Sequence, residues 1–214
     1  MSASLATFRL LLSPVYPGSL APEHLADLHK SGLTDEPIRL HRIRSIPPVM
    51  ISQLLGFDIP AIRSAYLIPF PDPRGGCMDH VRMKVFPSFK EKKYLQPRGS
   101  GVRLFFPLLT LEKVLYGDAP LWAVEGEKKA LAVAQLGLPA IGFCGVQGWH
   151  LAGSRELLPD FDYIRPRGRV IELVPDGDWR TNPNVRCGAE RFAEALETRG
   201  ARPRLVILPQ EVAA

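Results

Sequence analysis

Apolar and polar positions follow a regular pattern from residue 120 to the end of the chain. Short apolar runs of strand length alternate there with stretches whose apolar residues recur at helical spacing. The strand-like runs are "PLWAVE", "PAIGFCG", "RVIELVPD" and "RPRLVILP". The helical stretches are "EKKALAVAQLG", which ends at Gly137, and "NVRCGAERFAEALETRG", which ends at Gly200. This alternation predicts an α/β fold with a largely parallel sheet and helices packed on its faces.

The first half of the chain has a different pattern. "SLAPEHLADLHKSGL" predicts a short helix capped by Ser19, and "PPVMISQLLGF" predicts a second helix that stops at Gly56. "SAYLIPF" and "CMDHVRMKVF" are strand-like runs joined by the turn signal "PDPRGG", which predicts a β-hairpin, and "VRLFFP" predicts a further strand. We therefore predict a mixed α+β subdomain over residues 1–118 and a β-α-β domain over residues 119–214.

The second strand of the predicted hairpin separates basic from apolar side chains. His80, Arg82 and Lys84 alternate with apolar residues. Successive side chains of a strand point to opposite faces, so the three basic groups should share one face.

The net charge of +5 comes from the first part of the chain. Residues 1–120 hold 15 Lys and Arg against 10 Asp and Glu, whereas residues 121–214 hold 12 of each. Residues 80–103 contain a single acid, Glu91, and seven basic residues: Arg82, Lys84, Lys90, Lys92, Lys93, Arg98 and Arg103. Such a cluster attracts polyanions, nucleic acid above all, although it also fits a solvated basic face with no partner.

Composition argues against several classes of protein. No apolar run approaches the roughly 18 residues of a membrane span, and the N-terminus lacks the pattern of a signal peptide. Cys77, Cys144 and Cys187 are far apart and do not lie at zinc-ligand spacing from a histidine. We expect a cytoplasmic protein without a disulfide framework or a structural zinc site.

Three acids fall at the ends of predicted strands. Glu125 ends the strand "PLWAVE", and Asp176 and Asp178 follow the strand "RVIELVP" with one glycine between them. Ligands of open parallel sheets gather beyond the carboxyl ends of the strands. Carboxylates that converge there suit Mg²⁺, with Mn²⁺ as an alternative. Taken singly, each acid could instead be a surface or capping residue, and Asn182 or Asn184 could cap the following helix.

These motifs together resemble a known family. "WAVEGEKKALAVAQLGLPAIGFCGV" followed by "VPDGDW" resembles the Toprim domain of DnaG-type primases and topoisomerases over residues 119–209. The motif "EGEKKA" is most similar to the Toprim-like domains in replication proteins of phages, plasmids and other mobile elements. The resemblance implies that Glu125, Asp176 and Asp178 bind catalytic Mg²⁺ and that the glutamate does acid–base work.

The resemblance extends upstream to the subdomain that precedes the Toprim module in such primases. The hairpin, "KKYLQPRGS" and "VRLFFP" are similar to it in order and spacing. This implies a groove for single-stranded DNA template and incoming nucleoside triphosphate. The residues that would contact phosphates are Arg82, Lys84, Lys93, Arg98 and Lys128. A solvated role on the helix is the alternative for Lys128 and is favoured for Lys129.

Three functions follow from these residues. The first is a primase-like, Mg²⁺-dependent nucleotidyltransferase in the DNA replication of a mobile element, working with a helicase or another replication protein. The second is a Toprim nuclease that cleaves DNA or RNA with the same acids. The third is a catalytically inactive Toprim module that binds single-stranded nucleic acid. The first is our leading hypothesis. Two features count toward the third: the 214 residues show no counterpart of the primase zinc-binding module, and only Glu211 follows "VILP".

Overall fold

A computed structural model describes residues 19–207, apart from the side chains of Asp178 and Arg180. The chain divides into two compact units, one up to Gly101 and one from Val102 onward. Residues 102–118, which fall before the boundary predicted from the sequence, group with the second unit. Along the described part of the chain, no helix is both long and apolar enough to cross a membrane.

The first unit is a four-stranded antiparallel sheet with short helices. Its helices are α1 (Pro22–Lys30), α2 (Asp35–Leu40) and α3 (Pro48–Leu55). Its strands are β1 (Arg44–Ile46), β2 (Ser64–Pro71), β3 (Cys77–Phe89) and β4 (Lys92–Leu95), in the order β1-β2-β3-β4. The predicted hairpin is confirmed as β2 and β3, and the two predicted helices are confirmed as α1 and α3.

The predicted cap of the first helix is wrong. The residue before α1 is Ala21, which makes no side-chain cap, and Ser19 lies two residues further upstream. The Ser19 carbonyl instead accepts a hydrogen bond from the backbone N–H of Ser45 at 3.2 Å. The proline at the first position of α1 needs no capped N–H, so the helix can begin without a polar cap.

Strand β3 separates its side chains as its alternation predicts, with one exception. Val81, Met83 and Val85 are buried in a core cluster with residues of α3, whereas Arg82 and Lys84 are half-buried on the other face. His80 has the parity of the basic residues but is only 2% exposed, because its ring packs edge-on against Phe70 at 4.4 Å between centroids. His80 therefore shares the face of Arg82 and Lys84 but is buried within it.

The second unit is an α/β arrangement, as its pattern predicts. Its strands are β5 (Leu121–Glu125), β6 (Ala140–Phe143), β7 (Val170–Val174) and β8 (Arg202–Leu205), all parallel, in the order β6-β5-β7-β8. Its helices are α4 (Leu111–Leu115), α5 (Glu127–Ala134) and α6 (Pro183–Thr198). Three 3₁₀ turns cover Leu108–Thr110, Pro159–Tyr163 and Gly177–Arg180.

Helices α5 and α6 lie on opposite faces of this sheet. A Cβ on Gly142 of β6 would lie 3.1 Å from the Cβ of Ala130 in α5, so that face packs closely on α5. The next residue, Phe143, contacts Phe192 of α6 at 5.3 Å between ring centroids. Because neighbouring residues of a strand point to opposite faces, the unit has three layers, helix, sheet and helix.

The strand predicted over "VRLFFP" is wrong. Phe105 forms only an isolated bridge to Gly142, with N···O distances of 2.8 and 2.9 Å. Leu104, Phe105 and Phe106 are fully buried, so the apolar run that resembles a strand is a core segment of the second unit. An apolar run of this length indicates that the segment is buried. It does not show whether the segment is a strand or a packed extended segment.

Candidate functional site

Glu125 and Asp176 leave the parallel sheet at the same edge. Glu125 is the last residue of β5, and Asp176 follows the last residue of β7 by two positions. The two strands are hydrogen-bonded neighbours, with Val124 in register with Val174. Both acids are half-buried, so their carboxylates retain access to solvent.

Between the central strands β5 and β7, the order in which the chain adds strands to the sheet reverses. From β5 the chain passes through α5 to β6 on one side, and from β7 it passes through α6 to β8 on the other. In open parallel sheets such a reversal leaves a crevice beyond the strand ends, and ligands bind there. We call the region around Glu125 and Asp176 the switch crevice.

Gly126 forms the tight connection from β5 into α5. Its φ is +96°, a conformation that favours glycine, and its N–H donates to the Phe143 carbonyl at 2.8 Å. The turn buries Glu127 at 3% exposure and leaves Lys128 half-buried and Lys129 exposed. Helix α5 therefore begins immediately beside Glu125.

Lys129 and Asp176 form an ion pair across the switch crevice. The Lys129 Nζ donates to Asp176 Oδ1, and the two side chains are 55% and 40% exposed. Lys129 is thus an exposed helix residue, as expected from the sequence, that also pairs with Asp176. Sequence reasoning missed it as a site residue, although its position four residues after Glu125 and in the first turn of α5 was a usable signal.

Asp178 remains a predicted site residue whose side chain lies outside the described atoms. Its backbone belongs to the 3₁₀ turn Gly177–Arg180 that directly follows Asp176. The N–H of Trp179 donates to the Asp176 carbonyl at 3.0 Å, which closes this turn. Asn182 then caps α6 by accepting from the N–H of Asn184 at 3.1 Å, so of the two candidate caps it is Asn182 that serves.

The switch crevice contains side chains of the ligand type that hard divalent cations prefer. Glu125 and Asp176 offer carboxylate oxygens, and Mg²⁺ is commonly held by one or two carboxylates together with waters and substrate phosphates. The Asp176 carboxylate already attracts a cation, the Lys129 ammonium. Among the described side chains, which do not include that of Asp178, no group of three or more His, Cys, Asp or Glu is arranged to hold a metal ion.

The Glu125 side of the crevice borders an apolar recess between β7 and α6. The loop after β6 closes this recess. Its Val146 packs so closely on Gly188 of α6 that a Cβ on Gly188 would lie 2.4 Å from Val146 Cγ2. Trp149 of this loop is buried and stacks on Phe192 of α6, with 5.1 Å between ring centroids. The lining residues are Glu125, Phe143, Val146, Leu173, Val174, Pro175, Gly188, Ala189 and Phe192.

The predicted phosphate-binding residues of the first unit differ in their surroundings. Lys84 donates to Asp27 Oδ1 and is only 12% exposed, whereas Lys93 and Arg98 are exposed. The Arg82 guanidinium lies over the Tyr94 ring, 5.0 Å from its centroid. Arg82 and Lys84 thus place positive charge against an aromatic ring, a combination that proteins binding single-stranded nucleic acid use.

The basic face is tied to helix α1 by a chain of polar contacts. Tyr66 Oη donates to Asp27 Oδ2 at 2.8 Å while Lys84 binds the other oxygen of that carboxylate. Burial, together with the neighbouring Tyr94 and Asp27, raises the pKa of Tyr66 well above its usual range. Tyr66 therefore stays protonated and remains a donor to Asp27.

The comparisons with known proteins fit the division of the chain into two units. Residues 112–213 match the family described as "Domain of unknown function (DUF3854)". The matched segment contains Glu125, Asp176 and Asp178 together with Lys128 and Lys129, and it excludes the hairpin. The comparison with curated proteins gave no match.

Proposed function

We propose that the protein is a primase-like, Toprim-type nucleotidyltransferase that extends a strand on a single-stranded DNA template during replication of a mobile element. The observation that carries this proposal is the pair of acids at the carboxyl ends of β5 and β7, where the chain reverses across the sheet. The resemblance of "EGEKKA" and "VPDGDW" to Toprim motifs supports the same chemistry.

Glu125, Asp176 and Asp178 hold Mg²⁺ in this proposal. When bound, Mg²⁺ would stabilise negative charge on the phosphate that is transferred. Glu125, at the strand end next to the start of α5, would accept the proton of the attacking 3′-hydroxyl while that oxygen bonds to the α-phosphorus of the triphosphate and pyrophosphate leaves. Asp176 follows the neighbouring strand β7, so the two carboxylates are held by two different strands.

The first unit supplies the template contacts in this proposal. Exposed Lys93 and Arg98 bind phosphates without reading sequence, and Arg82 with Tyr94 offers a surface on which a base can stack. A helicase or another replication protein is the expected partner.

Incorporation of labelled nucleotides on single-stranded DNA tests this function. The wild-type protein should incorporate label with Mg²⁺ or Mn²⁺, and Glu125→Gln should reduce the rate by at least about 100-fold. Glu156→Gln is the matched control, because it makes the same change at an exposed site of the same unit. Full incorporation by Glu125→Gln would refute the assignment, and shortening of the DNA without added nucleotides would identify a nuclease instead.

The Lys129–Asp176 ion pair favours a second candidate function, a catalytically inactive module that binds single-stranded nucleic acid. An ammonium group at Asp176 supplies the positive charge that a metal ion would otherwise bring. For this candidate, DNA binding should depend on salt but not on Mg²⁺, and it should survive loss of Glu125 and Asp176.

A further inference from the structure

The Lys129–Asp176 ion pair has the properties of a contact that opens easily. Both side chains are about half exposed, at 55% and 40%, and exposed ion pairs contribute little to stability. The Arg103–Asp160 pair of the same unit is different, because Asp160 is 4% exposed and also accepts from the Leu104 N–H at 2.8 Å. Lys129 can therefore change partners at low cost, whereas Arg103 is held in place.

The position of Lys129 makes such a change of partner relevant to the switch crevice. It is the third residue of α5, and this helix starts directly after Glu125 and Gly126. Its ammonium nevertheless reaches the acid that follows β7, which is 47 residues away in sequence. Lys129 thus links the elements that carry the two acids.

We propose that Lys129 binds a phosphate of the nucleoside triphosphate and that Asp176 holds it only while the crevice contains no ligand. This inference rests on the proposed function, because it requires a divalent ion at Glu125 and Asp176. A divalent ion at Asp176 would compete with the Lys129 ammonium for the carboxylate, and Lys129 would then bind the incoming phosphates. A lysine ammonium is a compact charge on a flexible stem and is suited to follow a phosphate in this way.

Charge balance favours this exchange. Without ligand, the Asp176 carboxylate and the Lys129 ammonium neutralise each other. The divalent ion replaces the ammonium at the carboxylate, and the triphosphate supplies the negative charge that the released ammonium needs. Neither lysine nor aspartate is left without a counter-charge in either state.

The exchange predicts opposite changes in two affinities when Lys129 is replaced by methionine. Lys129→Met should bind Mn²⁺ alone about 3- to 10-fold more tightly, because an ammonium no longer competes for Asp176. It should bind ATP in the presence of Mn²⁺ about 10-fold more weakly, because a charge-assisted hydrogen bond to phosphate is lost. Free Mn²⁺ measured by electron paramagnetic resonance and ATP binding measured by calorimetry give the two values without any turnover.

Two further variants complete the test. Lys113→Met removes a lysine of the same unit whose Nζ binds the Gly137 carbonyl at 3.0 Å, and it should leave both affinities unchanged. Lys129→Arg keeps the positive charge and should keep most of the ATP affinity. Thermal unfolding of each variant establishes that it is folded.

The outcomes separate the two proposals. If the wild-type protein binds Mn²⁺ through Glu125 but Lys129→Met binds ATP normally, the role of Lys129 is overturned and the proposed function stands. If neither the wild-type protein nor Lys129→Met binds Mn²⁺, the metal-dependent function fails and the exchange fails with it. Tighter Mn²⁺ binding together with weaker ATP binding, in Lys129→Met alone, supports the exchange.

Discussion

Lys84 and Asp27 form an ion pair that removes one basic side chain from the exposed face of the hairpin. The Lys84 Nζ binds one oxygen of the Asp27 carboxylate, and Tyr66 Oη binds the other at 2.8 Å. Lys84 is 12% exposed and Asp27 is 20% exposed, so the contact is largely shielded from solvent. A helix residue thus neutralises a lysine that the alternation of β3 assigns to a basic face.

Replacing Asp27 by asparagine should strengthen nucleic-acid binding. The asparagine oxygen can still accept from Tyr66, but Lys84 loses its counter-charge and becomes available to phosphate. We expect the affinity for single-stranded DNA to rise about 3- to 10-fold at low salt. The slope of log affinity against log salt concentration should become steeper by about one, because one more counterion is released. Fluorescence anisotropy with labelled DNA over a salt series measures both quantities.

The matched control for this change is Asp35→Asn. Asp35 also belongs to the first unit and carries the same charge, but it pairs with His29 at 2.8 Å on the exposed surface. It should alter DNA affinity less than Asp27→Asn does. Equal effects of the two variants would mean that net charge, and not the release of Lys84, controls binding.

Arg169 is a buried residue whose replacement should destabilise the second unit. It is 3% exposed, and its guanidinium donates to the carbonyls of Ala119 at 2.8 Å, Val114 at 2.6 Å and Lys113 at 2.8 Å. Arg169→Met would remove this donor from the Ala119 and Val114 carbonyls, whereas the Lys113 carbonyl would still accept from the Gly117 N–H at 3.2 Å. We expect the free energy of unfolding to fall by about 3 kcal/mol in urea titrations. Exposed Arg167→Met should change it by less than about 0.5 kcal/mol.

Gly188 of α6 lies so close to Val146 that a methyl group at this position would clash with it. A Cβ would lie 2.4 Å from Val146 Cγ2 and 3.1 Å from the Val146 carbonyl oxygen. Alanine normally stabilises a helix relative to glycine by about 1 kcal/mol. Here we expect Gly188→Ala to lower the free energy of unfolding by about 1–3 kcal/mol.

Thermal and urea unfolding of Gly188→Ala test this reversal of sign. Arg186→Ala, at an exposed position of the same helix, is the control and should be close to neutral. A stabilised Gly188→Ala would show that the loop carrying Val146 moves away from α6 at little cost.

His41 should make the stability of the first unit depend on pH. Its ring is buried and donates from Nδ1 to the Pro37 carbonyl at 2.8 Å, and burial lowers its pKa to about 4. Because the folded state favours the neutral ring, stability is full above pH 6.5, the unfolded pKa, and is lost as pH falls toward 4. We expect a loss of about 2 kcal/mol between pH 7 and pH 5.

Urea unfolding of the wild-type protein and of His41→Gln at these two pH values measures the contribution of His41. The variant should lose less stability on acidification, because glutamine does not titrate. Part of the dependence should remain, since burial also lowers the pKa of His24. Identical losses in the two proteins would contradict the role assigned to His41.

Local patterns predicted much of the second unit. The strands β5, β6, β7 and β8 and the helices α5 and α6 follow from apolar runs and helical spacing, because each depends on neighbouring residues only. Glu125 and Asp176 were predicted at strand ends for the same reason. "VRLFFP" was mistaken for a strand because a buried segment and a strand have the same apolar composition.

The sequence by itself determined the hairpin, helices α1 and α3, the strands β5 to β8, helices α5 and α6, and the acids at the ends of β5 and β7, since hydrophobic periodicity, glycines and prolines act over short distances. It did not reveal α2, α4, β1 or β4. Tertiary structure alone decided that β5 and β7 are neighbours, that Lys129 reaches Asp176 and that Lys84 is neutralised by Asp27. Those ion pairs join residues 47 and 57 positions apart in the chain. Contacts of that kind depend on strand order and helix packing, which no local pattern encodes.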